Sequence, residues 1–129
     1  MDHITGHAGL FGTARGVAVF GRAMLDSISG RSNFLSPAAL DTALRERPGG
    51  SFRLGWDTKA EEGSSAGKRI GPRSFGHFGF TGTSIWCDPD TDVVIVLLTN
   101  RVHPSRANEK IKGFRPAFHD GVIATMKTS

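Results

Sequence analysis

The 129-residue chain contains no tyrosine, one cysteine and no long apolar run. The single cysteine, Cys87, excludes an internal disulfide, and its apolar surroundings predict a buried, unreactive thiol. A membrane-spanning helix needs about 20 apolar residues, whereas the longest run here is 93–98, so no membrane span is predicted. The N-terminus lacks the basic head and apolar stretch of a secretion signal. As expressed, the chain is therefore expected in the cytoplasm.

Length and charge allow one ordinary globular core. A chain of this size can bury roughly two-thirds of its unfolded surface. The net charge of +4 favours anionic partners in general, although a solvated surface explains it more simply. The basic stretches at 68–73 and 101–115 have no base-stacking aromatics, because the nearby phenylalanines are expected in the core. No nucleic-acid partner is predicted.

The first half of the chain predicts two helices. Thr13 fits the N-cap of a helix that runs to about Ile28, with apolar residues recurring at three- and four-residue intervals. Ser36 followed by proline begins a second helix. This helix should reach about Arg47, where the Pro-Gly-Gly at 48–50 stops it.

The second half predicts an antiparallel sheet and a final helix. Strands are expected at 52–56, 74–78, 83–87 and 93–98. The stretch 61–73 has no period and is rich in glycine, serine and charge, which predicts a long exposed loop. The continuously apolar run 93–98 is typical of a central strand covered on both faces. Pro116 fits the start of a helix that ends near Met126. The predicted inward face of this helix consists of Phe114, Phe118, Val122 and Met126.

These elements predict an α+β fold, in which an antiparallel sheet of three to four strands is packed with helices. No internal repeat is present.

One stretch, 75–86, carries a chemical motif. It places a His-x-Gly triplet, His77 to Gly79, on a predicted strand, followed by further glycine and a second strand. Four other segments accompany it in order: His7-Ala8-Gly9-Leu10-Phe11-Gly12-Thr13-Ala14, Leu54-Gly55-Trp56, Asp88-Pro89 and Leu97-Leu98-Thr99-Asn100-Arg101-Val102-His103-Pro104.

Together these segments resemble the C-terminal third of the serine β-lactamase and penicillin-binding-protein superfamily, on its class C, esterase-like side. The third motif of that family is Lys-Thr-Gly in many members and often His-x-Gly in the esterase-like branch. The resemblance covers nearly the whole chain, so it implies one partial domain over residues 1–129.

The resemblance implies that the strand carrying His77 forms one wall of an active-site cleft. His77 and Phe80 would be the catalytic residues. The His77 side chain would orient a substrate carboxylate or join the proton network, and the Phe80 N–H would be one of two oxyanion donors. Substrate would contact Phe78, Gly79, Thr81 and Gly82, with glycine at 79 letting its backbone lie close. From the residues alone, a strand histidine that only packs or hydrogen-bonds is the alternative for His77.

The chain departs from the family at the nucleophile. Family members carry Ser-x-x-Lys at the start of a buried helix, where the lysine helps to deprotonate the serine. The one such pattern here, Ser65 to Lys68, lies in the predicted loop and in the wrong order. The second motif needs tyrosine or serine followed two residues later by asparagine, and Arg31-Ser32-Asn33 lacks that spacing. The resemblance therefore implies a C-terminal fragment or truncated relative that is inactive alone.

No metal or cofactor is predicted. His3 and His7 are four residues apart, but no third ligand is near and Gly6 argues against a helix. Asp88, Asp90 and Asp92 alternate like calcium ligands, yet no glutamate follows at the required distance. No phosphate-binding loop is present.

Truncation of the family fold implies a partner. A partial sheet leaves an edge and an apolar face uncovered, and such surfaces are usually paired. We therefore expect a homo-oligomer, or a separate N-terminal chain that supplies the nucleophile. If such a chain completes the site, we expect a small-molecule or peptide substrate of the β-lactam, ester or D-alanyl-D-alanine type. A full-length relative could function in the periplasm. Two alternatives stay open: a non-catalytic binding module with the same partial fold, and a non-functional product of a split gene.

Overall fold

Two helices begin at side-chain caps in the computed structural model, which describes residues 8–126. The Thr13 hydroxyl accepts a hydrogen bond from the N–H of Gly16 at 3.1 Å and begins α1 (Ala14–Ile28). The Ser36 hydroxyl accepts one from the N–H of Ala39 at 3.2 Å and begins α2 (Pro37–Leu44). Each cap satisfies a donor that has no partner inside its helix.

Helix α2 ends three residues before the predicted Arg47. The carbonyl of Ala43 would have bonded to Arg47 if the helix had continued. It accepts instead from the N–H of Leu54 at 3.2 Å, and Arg45 is already extended with ψ 136°. The bond from Leu54 therefore replaces the one that would have formed the last turn of α2.

The sheet consists of β1 (Asp57–Thr58), β2 (Phe75–Phe78), β3 (Ser84–Asp88) and β4 (Val93–Leu97). Its order is β1-β2-β3-β4, and every neighbouring pair is antiparallel. The α+β prediction is confirmed, and the strands expected at 74–78, 83–87 and 93–98 are found within one residue at each end. Strand β4 was predicted to be central, but in the part of the chain that the structure describes it lies at the edge of the sheet.

The strand predicted at 52–56 is wrong. Phe52 and Leu54 are each 59% exposed, and only an isolated bridge joins Phe52 to Asp57. The N–H of Arg53 donates to the carbonyl of Trp56 at 2.6 Å. This bond closes a tight turn, so the alternating pattern does not become a strand and pairing begins only at Asp57.

The sheet separates two apolar clusters, because alternate residues of a strand point to opposite faces. On β3, Cys87 faces one way and Trp86 the other. The cluster under α1 and α2 contains Met24, Leu25, Leu40, Phe75 and Cys87. The cluster under the last helix contains Ala66, Ile70, Trp86, Ile95 and Ile123. Burial raises the pKa of the Cys87 thiol to about 12, in agreement with the predicted unreactive cysteine.

The loop 61–73 is irregular, as predicted, but it is not simply exposed. Ala66 and Ile70 are buried in the second cluster. The carboxylate of Asp120 accepts hydrogen bonds from the N–H groups of Lys68 and Arg69, each at 2.7 Å. The loop is thus tied to the last helix, and it covers one face of the sheet.

The last helix, α3 (Ile111–Met126), begins five residues before the predicted start, with Pro116 inside it. Its buried face consists of Ile111, Arg115, His119 and Ile123. The predicted inward face is half confirmed: Phe118 and Val122 are half-buried and pack against the second cluster, whereas Phe114 and Met126 are each 51% exposed. The centre of the buried face lies one residue away from the predicted face, because two polar residues, Arg115 and His119, occupy it.

Candidate functional site

All six residues predicted from the His-x-Gly motif lie on the end of β2 or on the turn that joins it to β3. Phe78 pairs with Ser84 at the last step of the ladder. Beyond it, the N–H of Gly79 donates to the carbonyl of Thr83 at 2.9 Å, and the N–H of Gly82 donates to the carbonyl of Gly79 at 3.0 Å. These bonds place Phe80 and Thr81 at the two corners of a β-turn.

Glycine is required at position 82. Its φ of +97° lies in the left-handed region, and a Cβ there would collide with the Thr99 hydroxyl oxygen. No other residue type adopts this backbone without strain.

The turn presents an open wall to solvent. His77 is exposed, and its ring centre lies 6.1 Å from that of Phe78. Phe78 is 36% exposed and Phe80 66% exposed. The N–H of Phe80 donates to no group within residues 8–126.

Arg101 supports the corner of the turn from the segment after β4. Its Nε donates to the carbonyl of Phe80 at 2.7 Å, and its backbone N–H donates to the carbonyl of Thr81 at 2.9 Å. Its guanidinium carbon lies 4.4 Å from the centre of the Phe80 ring, in cation–π geometry. The sequence marked Arg101 as part of a family-like segment and of a basic stretch. Its role in the turn depends on a contact between residues 21 positions apart.

Arg115 supports the same turn from beneath, and the motif did not predict it. It is only 7% exposed. Its Nη2 donates to the carbonyls of Gly79 at 2.5 Å and Thr83 at 3.3 Å, and its Nε donates to that of Gly82 at 3.2 Å. Burial is the main cause that lowers the pKa of Arg115, and the charge of Arg101 adds to it.

A buried serine–histidine pair lies beside the turn. Ser84 Oγ is 3.0 Å from His119 Nε2, and His119 Nδ1 is 3.0 Å from the carbonyl of Ser65. A carbonyl can only accept, so Nδ1 carries the proton and Nε2 accepts from the Ser84 hydroxyl. Burial is the main cause that lowers the pKa of His119, and the ring is neutral near pH 7. Both side chains are closed to solvent, so the pair joins β3, α3 and the loop.

Comparison with known proteins decides the family. The family model described as Beta-lactamase matches residues 1–115 of this chain.

The chain belongs to the beta-lactamase family.

Its relatives agree with that assignment. The chain is 34% identical over 116 residues to proteins of Salmonella agona and Salmonella typhi, each named "Putative D-alanyl-D-alanine carboxypeptidase". These matches cover 86% of this chain and 27% of each relative. A crystal structure of a beta-lactamase from Mycobacterium bovis superposes with a TM-score of 0.65 and 28% identity, covering 86% of this chain and 43% of the other. The chain therefore spans about a quarter of the length of the curated relatives it matches.

These findings confirm the superfamily resemblance and the fold class that the sequence predicted. The roles of His77 and Phe80 as catalytic residues, and of the neighbouring residues as substrate contacts, stay predictions.

The Ser-x-x-Lys pattern of the family does not assemble at residues 65–68. The Ser65 hydroxyl oxygen is buried and has no hydrogen-bond partner in the part of the chain that the structure describes. The Lys68 residue is exposed, and no bond joins its side chain to Ser65. The geometry offers Ser65 no base.

The candidate metal ligands do not form a site within the described residues. His3 and His7 lie outside residues 8–126. Asp88 is buried and accepts hydrogen bonds from the N–H of Gly71 at 2.8 Å and from the Thr91 hydroxyl at 2.8 Å. Asp90 and Asp92 are paired with arginines. Over residues 8–126, no group of three or more metal-binding side chains lies together.

Within the same residues, no helix is long and apolar enough to cross a membrane.

Proposed function

We propose that this chain supplies one wall, and one oxyanion donor, of a serine acyl-transfer site of the beta-lactamase type. The observation that carries the proposal is the N–H of Phe80. It follows the His-x-Gly triplet directly, lies at an exposed turn corner, and has no acceptor among the described residues. The nucleophilic serine, its lysine and the second-motif residue would come from polypeptide outside these 129 residues.

The chemistry of the wall follows from where charge develops in acyl transfer. Attack on a carbonyl places negative charge on its oxygen, and a preorganised N–H aimed at that oxygen stabilises the transition state. Losing one such donor typically lowers kcat by about 10²- to 10³-fold. The exposed imidazole of His77 would orient a substrate carboxylate or exchange a proton beside this donor.

The substrate class would be an acyl compound with an anionic end: a D-alanyl-D-alanine peptide, a β-lactam or an ester. The names of the Salmonella relatives support the first of these. The exposed faces of Phe78 and Phe80 would contact the apolar part of the acyl group, and the cations of Arg101 and Arg115 give the wall a positive potential.

The absence of an internal nucleophile can be tested by covalent labelling. The purified chain is incubated with a fluorophosphonate and, separately, with a labelled penicillin, and its intact mass is measured. We expect no adduct, because no serine of the described residues is paired with a base that solvent can reach. A stoichiometric adduct that disappears in a Ser65→Ala variant would contradict the proposal.

The oxyanion donor can be tested by titrating the ¹⁵N-labelled chain with methylphosphonate, a tetrahedral anion. We expect the Phe80 amide signal to shift more than that of any other turn residue. Dimethyl methylphosphonate, which is neutral, is the matched control and should leave Phe80 unmoved. Equal shifts with both compounds would argue against an oxyanion site.

A second candidate function is a binding module that holds a peptide or cell-wall fragment without turnover. The exposure of the two aromatic rings on the wall supports it. Equilibrium binding of a D-alanyl-D-alanine peptide, measured by calorimetry, would be saturable in this case. The ligand would be recovered intact even after the missing part of the domain is supplied, whereas an enzyme half would then release D-alanine.

We also propose that the chain pairs with a second copy of itself or with a separate chain. Strand β4 lies at the edge of the sheet in the described part of the chain. Beside it is an open groove of about 290 Å³, lined by Arg15, Ala18, Val19, Arg22 and Val94. An apolar groove next to an edge strand is a surface that native proteins usually cover.

A further inference from the structure

We infer that Arg115 is the positioning residue of the candidate oxyanion donor: by holding the Gly79 carbonyl inward, it turns the N–H of Phe80 outward into the cleft. The oxyanion role of the Phe80 N–H rests on the proposed function, whereas the orientation of the 79–80 peptide does not depend on it. The two groups belong to one peptide unit, which joins Gly79 to Phe80.

The geometric step follows from the planarity of that unit. In a trans peptide the C=O and the N–H point in opposite directions, because all six atoms lie close to one plane. The Gly79 oxygen accepts from Arg115 Nη2 at 2.5 Å and from the N–H of Gly82 at 3.0 Å. An inward carbonyl leaves the N–H of Phe80 facing the exposed side of the turn.

The 79–80 peptide needs hydrogen bonds from outside the turn to keep its orientation. Gly79 has no side chain to restrict its backbone, so a flip of the 79–80 peptide meets little local resistance. Arg115 bonds three carbonyls of the same turn, those of Gly79, Gly82 and Thr83. The planar fork of a guanidinium can span several acceptors at once, which the single ammonium of lysine cannot do in the same geometry.

The charge of Arg115 adds a second effect. No carboxylate pairs with it within the described residues. Its positive charge therefore acts on the carbonyls that it touches. A peptide whose oxygen bonds to a cation is polarised, and its N–H becomes a stronger donor. Arg115 would thus both orient and strengthen the Phe80 donor.

A purely structural role is the competing explanation, because Arg115 also joins α3 to the turn and lies 5.0 Å from the centre of the Phe78 ring. The two roles differ in what they predict for one peptide unit. A structural role predicts a loss of stability with the 79–80 peptide unchanged. A positioning role predicts that this peptide reorients while the rest of the sheet stays in place.

The wild-type chain provides the first test through amide hydrogen exchange. The N–H groups of Gly79 and Gly82 donate to carbonyls of the turn, so we expect both to be protected. The N–H of Phe80 should exchange within about tenfold of its rate in an unfolded peptide, because it faces solvent. Strong protection of Phe80 in the wild-type chain would overturn the inference, and this test needs no substitution.

The second test uses Arg115→Ala and Arg115→Lys in the full 129-residue chain, with the exposed Lys112→Ala on the same helix as control. We expect the Phe80 N–H residual dipolar coupling to change in both Arg115 variants and methylphosphonate to bind Phe80 roughly tenfold more weakly. Guanidinium ion at millimolar concentration should restore both readouts in Arg115→Ala, and urea at the same concentration should not. Lys112→Ala should match wild type.

The outcomes separate the two proposals. If Arg115→Lys or Arg115→Ala is folded and keeps the wild-type Phe80 coupling and methylphosphonate affinity, Arg115 does not position the donor. If the coupling changes in the variants but methylphosphonate never binds the wild-type chain, the positioning role stands and the proposed oxyanion role of Phe80 fails. If neither variant folds, Arg115 acts through stability and the positioning role is rejected.

Discussion

At the scale of the residue, hydrogen bonding decides burial in this chain more than polarity does. Arg115 and His119 are polar, yet both are buried because backbone carbonyls and the Ser84 hydroxyl satisfy their donors and acceptors. Phe80 is apolar, yet it is mostly exposed because it lies at a turn corner. A pattern that assigns burial by residue type therefore fails at these positions, which are also the positions nearest the candidate site.

Replacing Gly82 with alanine should destabilise the chain through two separate effects. The left-handed backbone costs about 1–2 kcal/mol for a residue with a Cβ, and the collision with Thr99 adds a packing cost of about 1–3 kcal/mol. Urea unfolding measures the sum. Gly30→Ala is the matched control, since its φ is +73° but no atom lies near a Cβ there. Equal losses in the two variants would show that Thr99 moves aside freely.

His119 should make the stability depend on pH on the acidic side. Burial holds the pKa of His119 below its ordinary value, whereas the unfolded chain protonates it near pH 6.5. Below that pH the unfolded state binds more protons than the folded state, so the free energy of unfolding falls as the pH falls. This contribution is fully present above about pH 6.5.

The measurement is urea unfolding between pH 8 and pH 5, on the wild-type chain and on His119→Gln. The variant is expected to be less stable at pH 8 and to lose stability less steeply on acidification. Parallel pH curves for the two proteins would mean that His119 is not the group responsible.

At the scale of the element, local chemistry explains the helix starts, and tertiary contacts explain most of the ends and faces. Thr13 and Ser36 begin α1 and α2 at the predicted positions, because an N-cap is satisfied by residues two or three positions away. The end of α2, by contrast, depends on Leu54. The start of α3 at Ile111 was missed because Pro116 fits a first helical turn, and nothing local showed that it lies inside the helix.

Two alanine substitutions on α3 can test which face of the helix is buried. Ile123 is buried and Phe114 is half exposed, although the sequence pattern placed Phe114 inward. Ile123→Ala should lower the free energy of unfolding by about 2–4 kcal/mol, as for other buried aliphatic residues. Phe114→Ala should cost less than Ile123→Ala, although the phenylalanine is larger. Thermal or urea unfolding of both variants checks the order, and the reverse order would support the predicted face.

At the scale of the whole molecule, the main feature is the amount of apolar surface that is exposed to solvent. Leu98 just beyond β4, the groove beside α1 and the outer face of α3 all present apolar side chains to solvent. The matched relatives are several times longer than this chain, which covers 27% of their length.

We expect self-association when the chain is purified alone. Light scattering should give a mass of two chains, each of 13.8 kDa, at micromolar concentration. Val19 is 63% exposed in the groove beside β4, so Val19→Lys should shift the equilibrium towards monomer. Thr42→Lys, at an exposed position on α2, is the control and should not. A monomer at high concentration would count against pairing of copies and favour a separate partner chain.

The sequence by itself determined the α+β class, two helix starts, three of the four strands, the inert cysteine and the family, because these depend on local periodicity, capping and ordered motifs. It also placed residues 79–82 between two strands. Only the tertiary structure decided which face of α3 is buried, where β1 begins, and which side chains hold the turn. Arg101 and Arg115 contact the turn from 21 and 36 residues away along the chain. Contacts across such separations produce no periodic pattern in the sequence, so the sequence could not predict them.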